Sequence, residues 1–298
     1  MGGFIMRYTI ITMISAVCLL ASCSLPEGKD IFDVPQDGYT LFEADFEDLT
    51  IAGTTGEMIW ERGIGIGVYG SSKGENERYI LKKALDGKAM GEFYGSEVSG
   101  EKITAYYPYS EDYALYNGHM MFSLSNVQAF DGTSDVFEQF CKYAGYAYAF
   151  KGDDNSLHFR YASGVLSIEV HLSNTETVRS IALTSDSPLA GVGSIGDDMT
   201  VSLSQTSSKT ILLDCGTGVV SRNGETYTRY PVVIPAGTYM NVSALLTLED
   251  GTEIISEMGT IEVERVTAGG QQVKEVVIST GGLGGFEVEG NLDFEPQS

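Results

Sequence analysis

The three histidines, His119, His158 and His171, are the first residues whose chemistry has to be weighed in this 298-residue chain. Beside a nucleophile or an acid they could serve acid–base catalysis, and clustered they could hold a metal. His158 and His171 instead alternate with apolar neighbours in Leu157-His158-Phe159-Arg160-Tyr161 and in Val165 to Leu172, the spacing of one strand face. Neither a G-x-S-x-G elbow nor an H-E-x-x-H helix accompanies them. A glycosidase needs two opposed carboxylates, and the 41 acidic residues supply many pairs without selecting one. Cys141 and Cys215 sit in apolar surroundings with no CxxC or Cys/His cluster nearby, which indicates no metal; they read either as a disulfide or as two buried thiols. Gly65-Ile66-Gly67-Val68-Tyr69-Gly70 satisfies the G-x-G-x-x-G of a dinucleotide turn, but the polar run Ser71 to Arg78 cannot open the helix that turn requires. The reading is therefore of a chain that is not an enzyme and carries no cofactor.

The elements that position these residues are strands. Apolar residues alternate, or run for short stretches between Gly, Asp, Asn and Ser. Beyond the two segments above, strands are readable at 39–47, 64–69, 103–107, 119–124, 180–184, 199–203, 209–214, 229–234, 238–247, 252–264 and 273–279. Turn signals such as Asp131-Gly132, Asn223-Gly224 and Asp250-Gly251 separate them, and Glu249-Asp250-Gly251-Thr252 is the best hairpin signal. One short helix fits between Ser134 and Gly145, with Phe137, Phe140 and Cys141 on one stripe. The pattern predicts an all-β fold: two tandem antiparallel, transthyretin-like β-sandwich domains with at most one short helix. The polar break around residues 151–156 divides an N-terminal domain, 38–153, from a C-terminal one, 154–280, and leaves a tail at 281–298. Glycine inside a strand marks close approach by another group, so Gly65 and Gly67 are expected to lie under an aromatic ring from Trp60 or the tyrosines at 106–109.

Arg7 precedes an apolar run, Tyr8 to Leu20, too short to span a bilayer as a mature helix. It ends in Leu20-Ala21-Ser22-Cys23, which resembles the lipobox of bacterial lipoproteins. That resemblance implies a signal peptide over 1–22, cleavage between Ser22 and Cys23, lipidation of Cys23, and a short tether over 23–37. Several acyl chains hold a protein durably on a membrane. The full chain has 41 acidic against 18 basic residues, a formal charge of −23; without residues 1–22 the loss of Arg7 makes this 41 against 17, or −24. A surface this acidic repels phosphate backbones, so nucleic acid is excluded as a partner.

Several stretches carry a family resemblance. They are Trp60 followed by Ile66-Gly67-Val68-Tyr69; Ala105-Tyr106-Tyr107-Pro108-Tyr109; Phe159, Tyr161 and Val165-Leu166-Ser167-Ile168; Tyr230 to Gly237; and Thr267-Ala268-Gly269-Gly270 ahead of the last strand. In order and spacing, over about residues 40 to 280, the chain resembles the fimbrillin family of lipoproteins, the subunits and accessory proteins of type V pili of Gram-negative anaerobes. Tyr161 stands where a histidine is commoner in that family. The resemblance implies a surface-exposed protein, lipid-anchored in the outer membrane, that acts as a pilus subunit or as a fimbrillin-like adhesin or anchor. Its partners would be other pilus subunits, joined by β-strand addition. Polymerising subunits are cut by an Arg-specific protease that removes a first strand; here the first arginine after Cys23 is Arg62, and cutting there would release 39–46. The candidate donor strand follows the hinge Gly281 to Gly285: Phe286, Val288, Leu292 and Phe294 occupy even positions, the alternative being a disordered acidic tail.

A second reading is a surface glycan-binding module, whose partner would be a host or bacterial surface glycan or protein. It rests on 17 tyrosines, many of them clustered, including Tyr113 and Tyr116 in a polar loop. Exposed rings stack on sugars, whereas buried rings are core.

Overall fold

The computed structural model describes residues 38–47, 49–51, 54–56, 60, 63–72, 74–85, 90–132, 136–152, 156–171, 177–215, 227–267 and 274–279. Seven strands come first: β1 (Tyr39–Phe46), β2 (Leu49–Ile51), β3 (Thr54–Gly56), β4 (Gly65–Gly70), β5 (Glu77–Leu85), β6 (Met90–Ser96) and β7 (Ile103–Tyr107). Next are β8 (Met120–Leu124), β9 (Val127–Ala129), helix α1 (Val136–Tyr143), β10 (Ala147–Phe150) and β11 (Ser156–Phe159). The rest is β12 (Ser163–His171), β13 (Val178–Thr184), β14 (Gly191–Ile195), β15 (Val201–Leu203), β16 (Thr210–Asp214), β17 (Tyr227–Pro235), β18 (Gly237–Leu248), β19 (Glu253–Val263) and β20 (Lys274–Ser279). The fold is nearly all β, with one helix among the described residues.

Period-two burial explains why these segments are strands. In β1 Phe42, Ala44 and Phe46 face the core while Tyr39, Leu41 and Glu43 face out, and in β18 Val242, Ala244, Leu246 and Leu248 repeat the pattern. β12 is buried along nearly its whole length, as a strand flanked on both sides must be. The Asp250-Gly251 turn joins β18 to β19 as its sequence predicts, with Gly251 at φ +86°. Helix α1 stops at Tyr143, and Gly145 just beyond it takes the left-handed conformation (φ +77°) without a Cβ penalty. Phe140 is fully buried against Tyr161, while Phe137 and Cys141 are half-buried beside it.

The strands form a seven-stranded sheet, β10-β7-β4-β5-β6-β1-β11, and a five-stranded one, β19-β18-β13-β16-β9. Two three-stranded sheets, β17-β12-β20 and β15-β14-β8, and the ribbon β2-β3 complete the set. The expectation of antiparallel pairing throughout is corrected at three places: β1 with β11, β12 with β20 and β9 with β16 run parallel. Each of these partners lies far along the chain, where a crossover rather than a hairpin makes the connection. Three pairings also cross the polar break at 151–156, because β11 completes the sheet of β1 while β8 and β9 pair with β14 and β16. Gln128 strengthens that crossing. It is fully buried, its Nε2 donates to Val233 O (2.7 Å) and its Oε1 accepts from Val233 N (3.0 Å), so the amide imitates a rung of β-ladder.

Candidate functional site

The site that the sequence reading points to is the place of the first strand. β1 pairs antiparallel with β6 along Tyr39–Asp45 and parallel with β11 along Glu43–Phe46, so its second half is flanked on both sides. Its inward side chains are large, small, large: Phe42 meets Tyr79 (ring centroids 5.4 Å apart), and Phe46 meets Trp60 (4.4 Å), Tyr107 (5.2 Å) and Phe159 (5.5 Å). The small middle residue is needed because the fully buried Trp60 closes over it. The indole Nε1 donates to Ala44 O at 3.1 Å, and a Cβ at Gly91, the partner of Ala44, would lie 3.1 Å from Trp60 Cδ1. Polar side-chain contacts hold the outer side and the end of β1. Asp45 Oδ1 meets His158 Nδ1 at 2.8 Å, and Arg265 Nη1 donates to Glu47 Oε2 at 2.8 Å.

Ser22, Cys23, Arg62, Phe286, Val288, Leu292 and Phe294 lie outside the described residues. Cys141 and Cys215, left open between disulfide and thiols, are not bridged to one another and remain thiols. Cys215 closes β16 inside the core; burial first, and the neighbouring Asp214 second, push its thiol up to about 12.

The glycines of β4 do lie against aromatic side chains. A Cβ at Gly67 would stand 1.9 Å from Tyr106 Cε1, and one at Gly65 would stand 3.4 Å from Tyr109 Cβ. Tyr106 stacks on Tyr113 (3.6 Å, 13°), and Tyr146 meets both rings edge-on. Burial pushes the Tyr69 hydroxyl up to about 12, with a smaller contribution from Tyr109, and raises Tyr106 and Tyr113 further still. These are hydroxyls that stay protonated and bond to the backbone: Tyr69 donates to Tyr113 O (2.9 Å) and Tyr106 to Ser110 O (2.8 Å). Tyr113 is therefore core, not a sugar platform.

One constellation escaped the sequence. Ser156 Oγ lies 2.8 Å from His158 Nε2, whose other ring nitrogen meets Asp45 at 2.8 Å, giving the distances of a nucleophile, a base and an orienting acid. Only the parallel pairing of β1 with β11 creates it, and no local motif announces that pairing. The His158 side chain is 55% exposed, so water surrounds the array and the water exclusion on which such catalysis depends is missing. Elsewhere a groove of about 450 Å³ lies between the turn at Tyr116 and the loop 204–208.

Among solved structures, this chain is similar to a proposed cell adhesion protein of Bacteroides uniformis, at 16% identity and a TM-score of 0.46, over 84% of this chain and 96% of that one. It is also similar to a proposed cell adhesion protein of Bacteroides ovatus (12%, TM-score 0.46, 81% and 92%) and to the fimbrial anchor protein Mfa2 of Porphyromonas gingivalis (12%, TM-score 0.40, 74% and 82%). No family model and no curated protein matches the sequence.

Proposed function

We propose that this chain is a non-enzymatic surface lipoprotein, anchored at Cys23 in the outer membrane, that serves as a pilus subunit or fimbrillin-like anchor or adhesin and assembles by strand addition. Its two sandwich units, 38–153 and 154–280, would be tied by the strands that cross between them. The observation that carries this reading is the position of β1, a terminal strand bonded on both sides whose departure would open a slot between β6 and β11. Such a slot offers two unpaired strand edges and a row of alternate pockets, which is what an extended peptide needs.

The tail beyond 280 has the matching side chains. Val288, Gly290 and Leu292 repeat the large–small–large order of Phe42, Ala44 and Phe46 at the same period. Gly290 would then replace Ala44 opposite Gly91, where the slot has room for a small residue only. Cutting after Arg62 would carry Trp60 away together with β1, leaving a large void among Phe93, Tyr107 and Phe159. Voids left by a lost Trp cost about 3–5 kcal/mol, so a cut subunit is driven to refill; Phe286 and Phe294 supply the rings.

The test is digestion of the purified protein with an Arg-specific protease, followed by electrophoresis without boiling. A ladder is expected from the intact chain and none from Arg62→Ala or from a chain ending at residue 280. A monomer that is cut at Arg62 and stays monomeric would remove strand addition from the reading.

A further inference from the structure

We propose that the groove between the Tyr116 turn and the 204–208 loop binds the end of an uncharged glycan. The inference does not depend on strand addition, because none of the residues involved belongs to β1 or its neighbours.

Tyr116 differs from the other tyrosines of its region. Tyr69, Tyr106, Tyr113 and Tyr146 pack on one another, whereas the Tyr116 ring has no aromatic neighbour among the described residues and is half-buried at the groove wall. Its backbone is rigidly held. Tyr116 N donates to His119 O (2.8 Å) and His119 N returns to Tyr116 O (3.0 Å), while Asn117 and Gly118 take φ of +51° and +79°. That is the two-residue Asn-Gly turn that fits antiparallel strands, so the backbone that carries the ring is ordered before binding.

The opposite wall is made of hydroxyls already fixed by the protein. Ser207 Oγ donates to Val192 O (3.2 Å), and Ser208 Oγ donates to Thr210 O (2.6 Å) while accepting from Thr210 N (3.2 Å), so both hydroxyl protons are committed and these oxygens have only lone pairs to offer a ligand. Ser204 and Thr206 share one hydrogen bond (3.0 Å), which leaves one of the two protons to give. Ser208 N donates to Ala190 O (2.8 Å) and Ser204 N to Val192 O (3.0 Å), pinning the loop to the start of β14. Gly191, at φ +134°, forms the floor; a Cβ there would stand 2.5 Å from Ser207 Oγ and push the hydroxyl away. Asn126 adds an exposed amide at the rim, and Val192, 40% exposed, adds an apolar patch.

The chemistry of the occupant follows from what is present and what is absent from the lining. None of the lining side chains is charged, on a chain whose formal charge is −23. A cation would find no carboxylate in the groove, and an anion would be repelled by the surrounding protein. A neutral sugar has hydroxyls that both give and accept hydrogen bonds, and a C–H face that stacks on a tyrosine. The volume lies within the range of small-molecule sites, about 300–1,000 Å³.

The experiment presents the purified full chain to immobilised neutral oligosaccharides, including lactose and mannobiose, with sialyllactose and heparin fragments as anionic arms. Binding to at least one neutral glycan and to neither anionic arm is expected. Tyr116→Phe should keep that binding, and Tyr116→Ala should weaken it by about tenfold, the equivalent of losing one aromatic contact. Thr206→Trp, at an exposed position, should block the groove while leaving the melting temperature unchanged. Absence of neutral binding, binding confined to the anionic arms, or neutral binding untouched by both Tyr116→Ala and Thr206→Trp would overturn the proposal.

Discussion

The Tyr106 ring fills the space that a side chain at residue 67 would need: a Cβ added to Gly67 would stand 1.9 Å from Tyr106 Cε1. The ring cannot swing away freely, because it is stacked on Tyr113 and its hydroxyl donates to Ser110 O. Gly67→Ala should therefore destabilise the protein by about 1–3 kcal/mol, the usual cost of overpacking a fixed core. Urea unfolding checks this; an unchanged midpoint would mean that the tyrosine stack yields easily.

Trp60 clamps β1 by one hydrogen bond to Ala44 O and by ring contacts to Phe46, Phe93, Tyr107 and Phe159. Trp60→Phe deletes the bond and leaves a void, for a combined loss of about 1–3 kcal/mol. The effect should be local as well as global. Amide exchange in the peptide covering 39–46 should speed up more than exchange in β18 and β19, which Trp60 does not touch.

How much of this was readable beforehand depended on whether the signal was local. β7 spans the 103–107 that its sequence predicts, and the Asp250-Gly251 hairpin and the Gly145 helix stop follow from turn chemistry in adjacent residues. β5 and β6 are hard to read from sequence because Lys82 and Lys83 resemble a loop, and Gly91 and Gly95 resemble turns. In the fold those glycines make room: a Cβ at Gly95 would lie 2.5 Å from Tyr79 Cδ2, and one at Gly91 2.7 Å from Leu81 Cδ1. They obey the rule already inferred for Gly67, so the signal was present but unread. Asn223-Gly224 is the Asn-Gly pair read above as a turn, whereas Asn117-Gly118, of the same type, presents Tyr116. No local pattern could have revealed the slot around β1 or the groove. The parallel partner of β1 lies across the polar break, and the groove draws on residues 116, 126, 190–192, 204 and 206–208.

The Ser156–His158–Asp45 array should be catalytically silent despite its distances. Its imidazole is open to solvent, and preorganised groups stabilise a developing charge effectively only where water is kept out. A fluorophosphonate probe should leave Ser156 unlabelled in the native protein, as mass spectrometry of the 156–160 region would report. Labelling that disappears in Asp45→Asn would instead identify a working nucleophile and end the non-enzymatic reading.

Alkaline pH should unfold the protein through its buried tyrosines. Tyr69 and Tyr79 are raised from 10.0 to about 12, in both chiefly because burial disfavours the phenolate. In Tyr79 the hydrogen bond with Thr40 opposes the rise and the charge of Glu77 adds to it. Between those values the unfolded chain has released its phenolic protons while the folded one still holds them. The unfolded state is thus favoured progressively as pH climbs. The contribution of these residues is complete below pH 10 and is lost on the way to 12, with no counterpart on the acid side. Urea midpoints measured from roughly pH 8 to 11 should be level at first and then fall. Tyr69→Phe removes one ionising group from the set, so its curve should start lower, from the lost bond to Tyr113 O, and fall less steeply. Midpoints that stay level through the same range would mean that the Tyr69 and Tyr79 hydroxyls are hydrated in solution, and the packed tyrosine core would have to be abandoned.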